Sequence, residues 1–529
     1  MAISCRQPGD EAIIRHGCAP TPCARRAQLF VLGATVVGSS MAFIDGTVVN
    51  VALPVLQDEL GATVAALQWI VESYALFLSA LILVGGLMGD QFGRKRVFAW
   101  GVVVFALASL LCGIATTAEW LIAARAIQGI GAALLVPGSL ALISANFAED
   151  ERGRAVGTWS GMSALAMALG PVLGGWLVDN VSWRWVFFIN LPLAALVLLL
   201  LYRGVPESRD ESRTGGLDWI GASLATVGLG ALVLGLIEAG VLGFGARIAQ
   251  VSLVLGVVLL AAFLVVQARG ASPMMQLDLF RSRAFSGANF LTLLLYGALG
   301  GALFFFPFNL IQVQDYSATA AGAAFLPLIL IMFALSRWSG GLVDRYGGRL
   351  PLVAGPAIAA VGFALFAVPS VGGSYWTTFF PAIVVLGLGM AIAVPPLTTV
   401  VLGAADERRA GVASGINNAI ARVAGLVAIA VMGIVLLGAF NANLDAALAG
   451  VDLPAAARQA LMDGRAGLAA MPIPDGLGDA GAAAVRAAID GAFVSGFRLV
   501  MLVAAGLALA GAVGAWLTVP PKQAKPSSA

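Results

Sequence analysis

Long apolar stretches alternate with short polar turns over most of this chain. A helix that crosses a membrane needs about 20 consecutive, mostly apolar residues, and fourteen stretches meet that requirement. They are 28–53, 67–89, 97–117, 119–141, 155–178, 184–202, 217–238, 248–268, 284–310, 319–340, 351–370, 376–402, 410–437 and 497–518. The pattern therefore predicts an all-α polytopic membrane protein with fourteen transmembrane helices.

Composition supports the same class of protein. The 529 residues are 60% hydrophobic and only 11% charged, whereas soluble domains carry about 25% charged residues. The 65 glycines suit helices that approach each other closely in a bilayer. A net charge of +2 gives no sign of a nucleic-acid partner, and we expect none.

Basic residues predict the orientation of the helices. Lysine and arginine concentrate in alternate turns, and on the opposite side the short turns hold only Arg184 and Arg247. Since short cytoplasmic loops carry the excess of positive charge, both termini are expected in the cytoplasm and the protein in the cell membrane. The long segment 438–496 is then an external loop, in which we expect the alanine-rich pieces to form short helices.

The N-terminal tail holds three cysteines, Cys5, Cys18 and Cys23, and the only histidine, His16. The tail has no apolar segment of signal-peptide type, so we expect no cleaved signal. A metal site in this tail is the less favoured interpretation, and we predict no metal in the protein.

One motif occurs twice. "GLMGDQFGRK" (Gly86–Lys95) aligns with "GGLVDRYGGR" (Gly340–Arg349), and both turns follow the second span of a half. Repeated halves are typical of secondary transporters. We therefore predict a cytoplasmic tail, an N-terminal six-helix half, two inserted helices, a C-terminal six-helix half that includes the external loop, and a second tail. Their boundaries are 1–27, 28–203, 204–270, 271–518 and 519–529.

Charged residues within spans are costly in lipid and mark function by default. Arg125 and Gln128 lie three residues apart in the fourth span, so they share a helix face. At 1.5 Å of rise per residue, Asp45 and Glu72 lie at a depth similar to that of Arg125, and we predict one shared polar cluster. Arg422 is a further candidate, in the thirteenth span. The alternative without a functional role is that the charged end of the arginine or glutamate side chain reaches the membrane surface.

Histidine is absent from every predicted span. A proton relay within the membrane must therefore use carboxylates, either Asp45 or Glu72. An ion pair with Arg125 stabilises the charged form of a carboxylate and burial stabilises the neutral form, so a change in their separation changes proton affinity.

The fifth span contains two G-x-x-x-G patterns, Gly157 with Gly161 and Gly170 with Gly174. Such faces permit close helix contact, and Pro171 removes one backbone hydrogen bond and favours a kink. Tight packing alone explains these residues without any special function.

The repeated motif resembles the loop signature G-x-L-x-D-x-x-G-R-K of the major facilitator superfamily. The resemblance implies that Asp90, Gly93, Arg94 and Lys95 form a cytoplasmic conformational latch. "RAIQGIG" resembles the superfamily's fourth-helix motif R-x-x-x-G-x-G, which is linked there to proton transfer.

"GPVLGG" in the fifth span resembles the antiporter signature G-x-x-x-G-P-x-x-G-G of the same superfamily. The residues assigned to it are Gly161, Gly170, Pro171, Gly174 and Gly175.

"DGTVVNVALP" (Asp45–Pro54) and "QWIVESY" resemble the fourteen-helix drug/proton antiporter branch. The resemblance implies the major facilitator fold and a proton-coupled antiporter that exports hydrophobic or amphipathic small molecules such as drugs and antibiotics. It also implies a monomer in the lipid bilayer that is driven by the proton gradient and uses no cofactor.

Other functions remain open at this point. An uptake symporter for a sugar or amino acid shares the fold but should lack the fifth-helix Gly-Pro pattern. A non-transporting membrane sensor is a second alternative. We do not expect an enzyme or an ATP-driven pump, since the chain has no G-x-x-x-x-G-K-[ST] loop and no histidine within a span.

Overall fold

The computed structural model describes residues 22–209, 218–270, 273–405, 409–451 and 453–521. The N-terminal Cys5, Cys18 and His16 lie outside these ranges, as does the side chain of Cys23. Across the described ranges, no group of three or more His, Cys, Asp or Glu side chains is placed to hold a metal ion.

Fourteen helices are long and apolar enough to cross a membrane, as predicted, and the described residues contain no β-strand. We number them α1 to α14 in chain order. They are Pro22–Leu60, Val64–Phe92, Arg94–Gly113, Ala118–Asn146, Glu149–Asn180, Trp185–Gly204, Trp219–Leu242, Arg247–Arg269, Arg283–Phe308, Ala318–Gly340, Arg349–Phe366, Tyr375–Gly403, Ala410–Leu448 and Gly478–Thr518.

The segment predicted as a long loop, 438–496, is mostly helical. Helix α13 continues to Leu448 and α14 begins at Gly478, so the connection is much shorter than expected. Two short helices, Ala455–Asp463 and Arg465–Ala470, lie within it. An apolar run locates only the part of a helix that suits the lipid interior. The alanine-rich extensions of α13 and α14 favour helix formation, but they are too polar to have been included in the predicted spans.

The chain divides into two compact units. One contains the described residues up to Ala52 together with Ile70–Thr226, and the other contains Leu53–Trp69 and the described residues from Val227 onward. The divisions fall inside α1, α2 and α7 rather than in loops. The predicted division into six, two and six helices stays a prediction.

In the first unit, α3 and α4 pack backbone against backbone. A side chain at Gly131 would place its Cβ 2.5 Å from the amide nitrogen of Phe105, and one at Gly101 would lie 2.8 Å from that of Leu135. Only glycine permits this approach, which dispersion forces favour in the absence of water. Arg125 and Gln128 of α4 are buried within the protein, at 1% and 0% exposed.

In the second unit, the phenylalanine run Phe304–Phe306 forms part of the packed core. All three side chains are about 1% exposed. The ring of Phe306 lies 5.1–6.4 Å, centre to centre, from those of Phe325, Phe366, Phe379 and Phe497. Helix α9 then ends in a single π-helical turn, Asn309–Val313. The run is therefore part of the packing inside the second unit.

The second unit also contains an ion pair between the starts of two helices. Arg409, just before α13, hydrogen-bonds Asp278 in the short turn before α9. The hydrogen bond from Arg409 lowers the pKa of the Asp278 carboxyl. Both side chains are about half exposed, so this pair adds little stability.

Substitution of Gly131 by valine should lower the thermal unfolding midpoint of the purified protein strongly, because α3 and α4 would be forced apart. Gly161→Val is the matched control. A Cβ there meets no described atom within 4 Å, and valine is the better helix former. Equal losses in the two variants would contradict the packing described here.

Candidate functional site

A buried ion pair joins α1 and α4. The Arg125 guanidinium donates from Nη1 to Oδ2 of Asp45, and the two side chains are 1% and 0% exposed. An isolated charge at such a position is strongly unfavourable, so each residue depends on the other. This excludes the interpretation of Arg125 as an arginine that reaches the membrane surface.

Amide side chains complete the pair. Gln128 donates from Nε2 to Oδ1 of Asp45 at 2.8 Å and accepts from Nη1 of Arg125 at 2.8 Å. Asn190 of α6 also donates to Oδ1 of Asp45, at 3.3 Å, and to Oγ of Ser109 at 3.0 Å. The pairing of Asp45, Arg125 and Gln128 matches the prediction from sequence.

Asn190 and Ser109 were not predicted. Asn190 interrupts the apolar sixth span in "FFINLP", and that polar interruption is a signal that sequence reading had available. Ser109 of α3 lies in "LASLL", where nothing distinguishes it from a serine that bonds its own helix.

Helix α2 holds the other side of the guanidinium. Nε of Arg125 donates to the carbonyl of Ile70 at 3.1 Å, and the guanidinium lies 4.2 Å from the ring centre of Tyr74. The Tyr74 hydroxyl donates to the carbonyl of Ala42 at 3.3 Å. Cation–π contacts are strongest when desolvated, as here. The arginine thus links α1, α2 and α4.

Glu72 does not join this cluster, and the prediction of a three-residue cluster is wrong on this point. Its side chain is 0% exposed, and neither carboxylate oxygen has a hydrogen-bond partner among the described residues. Ile70 and Tyr74, four residues apart, share the face toward Arg125. A residue two positions from each points about 200° away on a helix of 3.6 residues per turn.

The loop between α2 and α3 contains an ion pair and a glycine with a left-handed backbone. Asp90 accepts from Nη2 and Nε of Arg94 at 2.9 and 3.0 Å, and Gly93 has φ +107°. That backbone conformation is open to glycine and strained for most other residues. The second copy repeats it, since Gly347 has φ +80°.

The Gly-Pro pattern of α5 packs on the turn of α1 that carries Asp45. A Cβ at Gly170 would lie 3.3 Å from the carbonyl of Ile44, and one at Gly174 would lie 3.0 Å from that of Val48. Pro171 lies inside an unbroken helix. The pattern therefore sets the distance between α5 and the site.

The first half of the predicted glycine face is wrong. A Cβ at Gly157 or Gly161 meets nothing within 4 Å in the described chain. Gly161 also lies nine residues before Gly170, whereas the signature requires a glycine four residues before it, where Ala166 stands. Gly161 is therefore removed from the motif.

Arg422 lies half-buried in α13, in the second unit. Five residues earlier, Asn417 donates to Oδ1 of Asn289 at 3.0 Å and to Oγ1 of Thr292 at 2.7 Å. These contacts join α13 to α9.

The family model of the Major Facilitator Superfamily matches residues 35–429, which is most of the chain. The chain belongs to this superfamily. It is 36% identical over 426 residues to the multidrug resistance protein Stp of Mycobacterium tuberculosis, covering 79% of this chain and 78% of that protein. It is 32% identical over 509 residues to the tetracenomycin C resistance and export protein of Streptomyces glaucescens, covering 95% and 94%.

Solved structures agree on the fold. A bacterial homolog of the human lysosomal transporter Spinster aligns with a TM-score of 0.66 over 95% of this chain and 98% of that one, at 17% identity. The superfamily fold predicted from sequence is confirmed, and the chain is a multi-pass membrane protein.

Replacing one member of the buried pair should destabilise the protein more than expected from the effect of replacing both. Asp45→Asn or Arg125→Gln alone leaves one buried charge unpaired and should cost roughly 3–5 kcal/mol. The double variant should lose clearly less than the sum of the two. Unfolding free energies in detergent micelles measure the cycle.

The control is the pair of Asp278 and Arg409, whose side chains are about half exposed, where Asp278→Asn and Arg409→Gln should each change stability by about 0–1 kcal/mol. Strict additivity at Asp45 and Arg125 would show that the buried pair is not a unit.

Proposed function

We propose that this protein is a proton-coupled antiporter that exports hydrophobic or amphipathic small molecules, such as drugs and antibiotics, across the cell membrane. The observation that carries the proposal is the fully buried pair of Asp45 and Arg125. A transporter that held these charges only for stability would gain more from apolar residues of the same size.

Export rather than uptake is supported by the relatives and by α5. Two of the relatives are named for resistance, and one of them also for the export of tetracenomycin C. Gly170 and Gly174 of α5 lie against α1, and the resemblance of their Gly-Pro pattern to the antiporter signature favours an antiporter over a symporter.

The two carboxylates have different surroundings. Asp45 faces a guanidinium and two amide donors, which favour its charged form. Glu72 is buried without a described partner, so its neutral form is the less costly one. In this conformation we assign the proton to Glu72 and the charge to Asp45.

Transport follows from a change in these surroundings. If movement of α1 or α2 separates Asp45 from Arg125, its carboxylate takes up a proton. If movement exposes Glu72 to water, it releases one. Arg125 contacts α1 through Asp45 and α2 through Ile70. Movement of either helix therefore changes the contacts of this one residue. The proton crosses the membrane opposite to the exported molecule.

The remaining features of the proposal concern the setting of the protein. We infer that both termini lie in the cytoplasm, that the protein works as a monomer in the cell membrane, and that the proton gradient is the only energy source. No cofactor and no chemical conversion of the substrate enter this scheme.

Export should depend on the gradient and on Arg125 and Asp45. In proteoliposomes with an imposed pH gradient, wild type should drive uptake or release of tetracenomycin C and members of a panel of lipophilic antibiotics. Asp45→Asn and Arg125→Ala should abolish the gradient-dependent part, because neither retains the pair.

Asp445→Asn is the matched control, since it removes an exposed carboxylate outside the site, and its rate should equal that of wild type. Transport that persists after the gradient is collapsed would contradict proton coupling. Movement of substrate in the same direction as protons would instead indicate a symporter.

Glu72 should behave differently from Asp45 in stability. Glu72→Leu should raise the unfolding midpoint, because a buried carboxyl without a described partner is replaced by an apolar group, and it should still lose gradient-driven export. Glu72→Gln keeps the shape and tests the proton alone. A strongly destabilised Glu72→Leu would show that Glu72 has a stabilising partner.

A further inference from the structure

Glu207, in the segment that follows α6, reaches the start of α3. Its carboxylate accepts from the main-chain N–H of Lys95 at 2.9 Å and from that of Arg96 at 3.2 Å. The same carboxylate lies 3.7 Å from Nε of Arg96. The Glu207 side chain thus accepts hydrogen bonds from two N–H groups in the first turn of α3, which have no carbonyl acceptor within the helix.

The neighbouring residue completes the contact. The carbonyl of Ser208 accepts from the main-chain N–H of Arg94 at 2.8 Å. Each residue of the basic triplet Arg94, Lys95 and Arg96 therefore donates its backbone N–H to residues 207–208. Negative charge is also favoured at this end of a helix by the helix dipole.

Gly93 provides a second, independent observation. A Cβ at this position would lie 2.8 Å from both Cδ and Oε1 of Glu207. The motif glycine is therefore required twice, once for its φ of +107° and once to leave room for this carboxylate. The Glu207 carboxylate occupies the space that the missing side chain leaves.

The second copy of the motif provides a comparison within the chain. Helix α14, like α6, is followed by Val-Pro: Val205 and Pro206 in one case, Val519 and Pro520 in the other. Pro521 then stands where Glu207 stands, and proline has no acceptor side chain. Only the first copy of the motif has the complete basic triplet, and it is also the copy that has an acidic residue, Glu207, at this position.

We propose that Glu207 is the positioning residue of the loop motif, which fixes the start of α3 and holds the basic triplet in one arrangement. The proposal rests on the proposed function only in that this loop acts as a latch during transport. It adds a fixed point between the loop and the segment that leads toward α7, the first of the two inserted helices.

Cysteine alkylation tests the proposal without any substrate. Val97 lies in the first turn of α3 and is 1% exposed. In a chain whose native cysteines are replaced, Val97→Cys should react slowly with N-ethylmaleimide. Glu207→Ala should raise that rate roughly five- to thirtyfold, the range expected from the loss of a helix N-cap.

Conservative variants separate positioning from general instability. Glu207→Gln keeps one carbonyl acceptor and should give an intermediate rate, and Glu207→Asp should restore much of the protection. Glu151→Ala is the control, because that carboxylate accepts from Gln28 and not from α3. Its rate should match that of the parent.

An unchanged rate in Glu207→Ala, or a rise of equal size in Glu151→Ala, would overturn the proposal. Tetracenomycin C export is the second readout, in which Glu207→Ala should lower the maximal rate with little change in KM and Glu207→Asp should recover it. Faster alkylation with unchanged export would overturn the link to transport. Export by the wild-type protein that does not depend on the pH gradient would contradict the proposed function. The alkylation rates would then still decide whether Glu207 positions the start of α3.

Discussion

The pairing of Asp45 with Arg125 is the constraint around which the first unit is organised. A charge at this depth has no water to solvate it, so the two residues are stable only together and only with donors for the remaining oxygen. Five helices contribute to that arrangement: α1 brings the acid, α4 the arginine and glutamine, α2 a carbonyl and a ring, α3 a serine, and α6 an asparagine. A shift of any of them changes the electrostatic environment of Asp45.

Close packing keeps the pair dry. Glycines at the contact of α3 with α4 and of α5 with α1 allow the two backbones to approach so closely that a Cβ would not fit between them. A dry site strengthens electrostatic interactions, and it also makes the loss of one partner more costly. The same packing means that opening the site to water requires movement of whole helices, which fits a family that works by tilting helical lobes.

Sequence alone predicted the spans and, through the family resemblance, the fold. It also named Asp45 and Glu72 as candidate partners of Arg125, because charged residues stand out in apolar runs. It predicted the direction of the Glu72 side chain wrongly, because rise per residue fixes only the depth of a residue, while the rotation of a helix relative to its neighbours comes from packing. Gly161 shows a similar limit, because a G-x-x-x-G pattern does not say whether a neighbour lies opposite. Glu207 escaped notice because its contact spans more than a hundred residues, and no local pattern in "VPES" points to α3.

The central claim is that one buried carboxyl carries a proton while the other stays charged beside Arg125. Infrared spectroscopy of the purified protein at neutral pH measures this most directly, through the C=O stretch of a protonated carboxyl in an apolar environment. The account predicts such a band in wild type, its loss in Glu72→Gln and its persistence in Asp45→Asn. Absence of the band in wild type, or its loss in Asp45→Asn with retention in Glu72→Gln, would contradict the account.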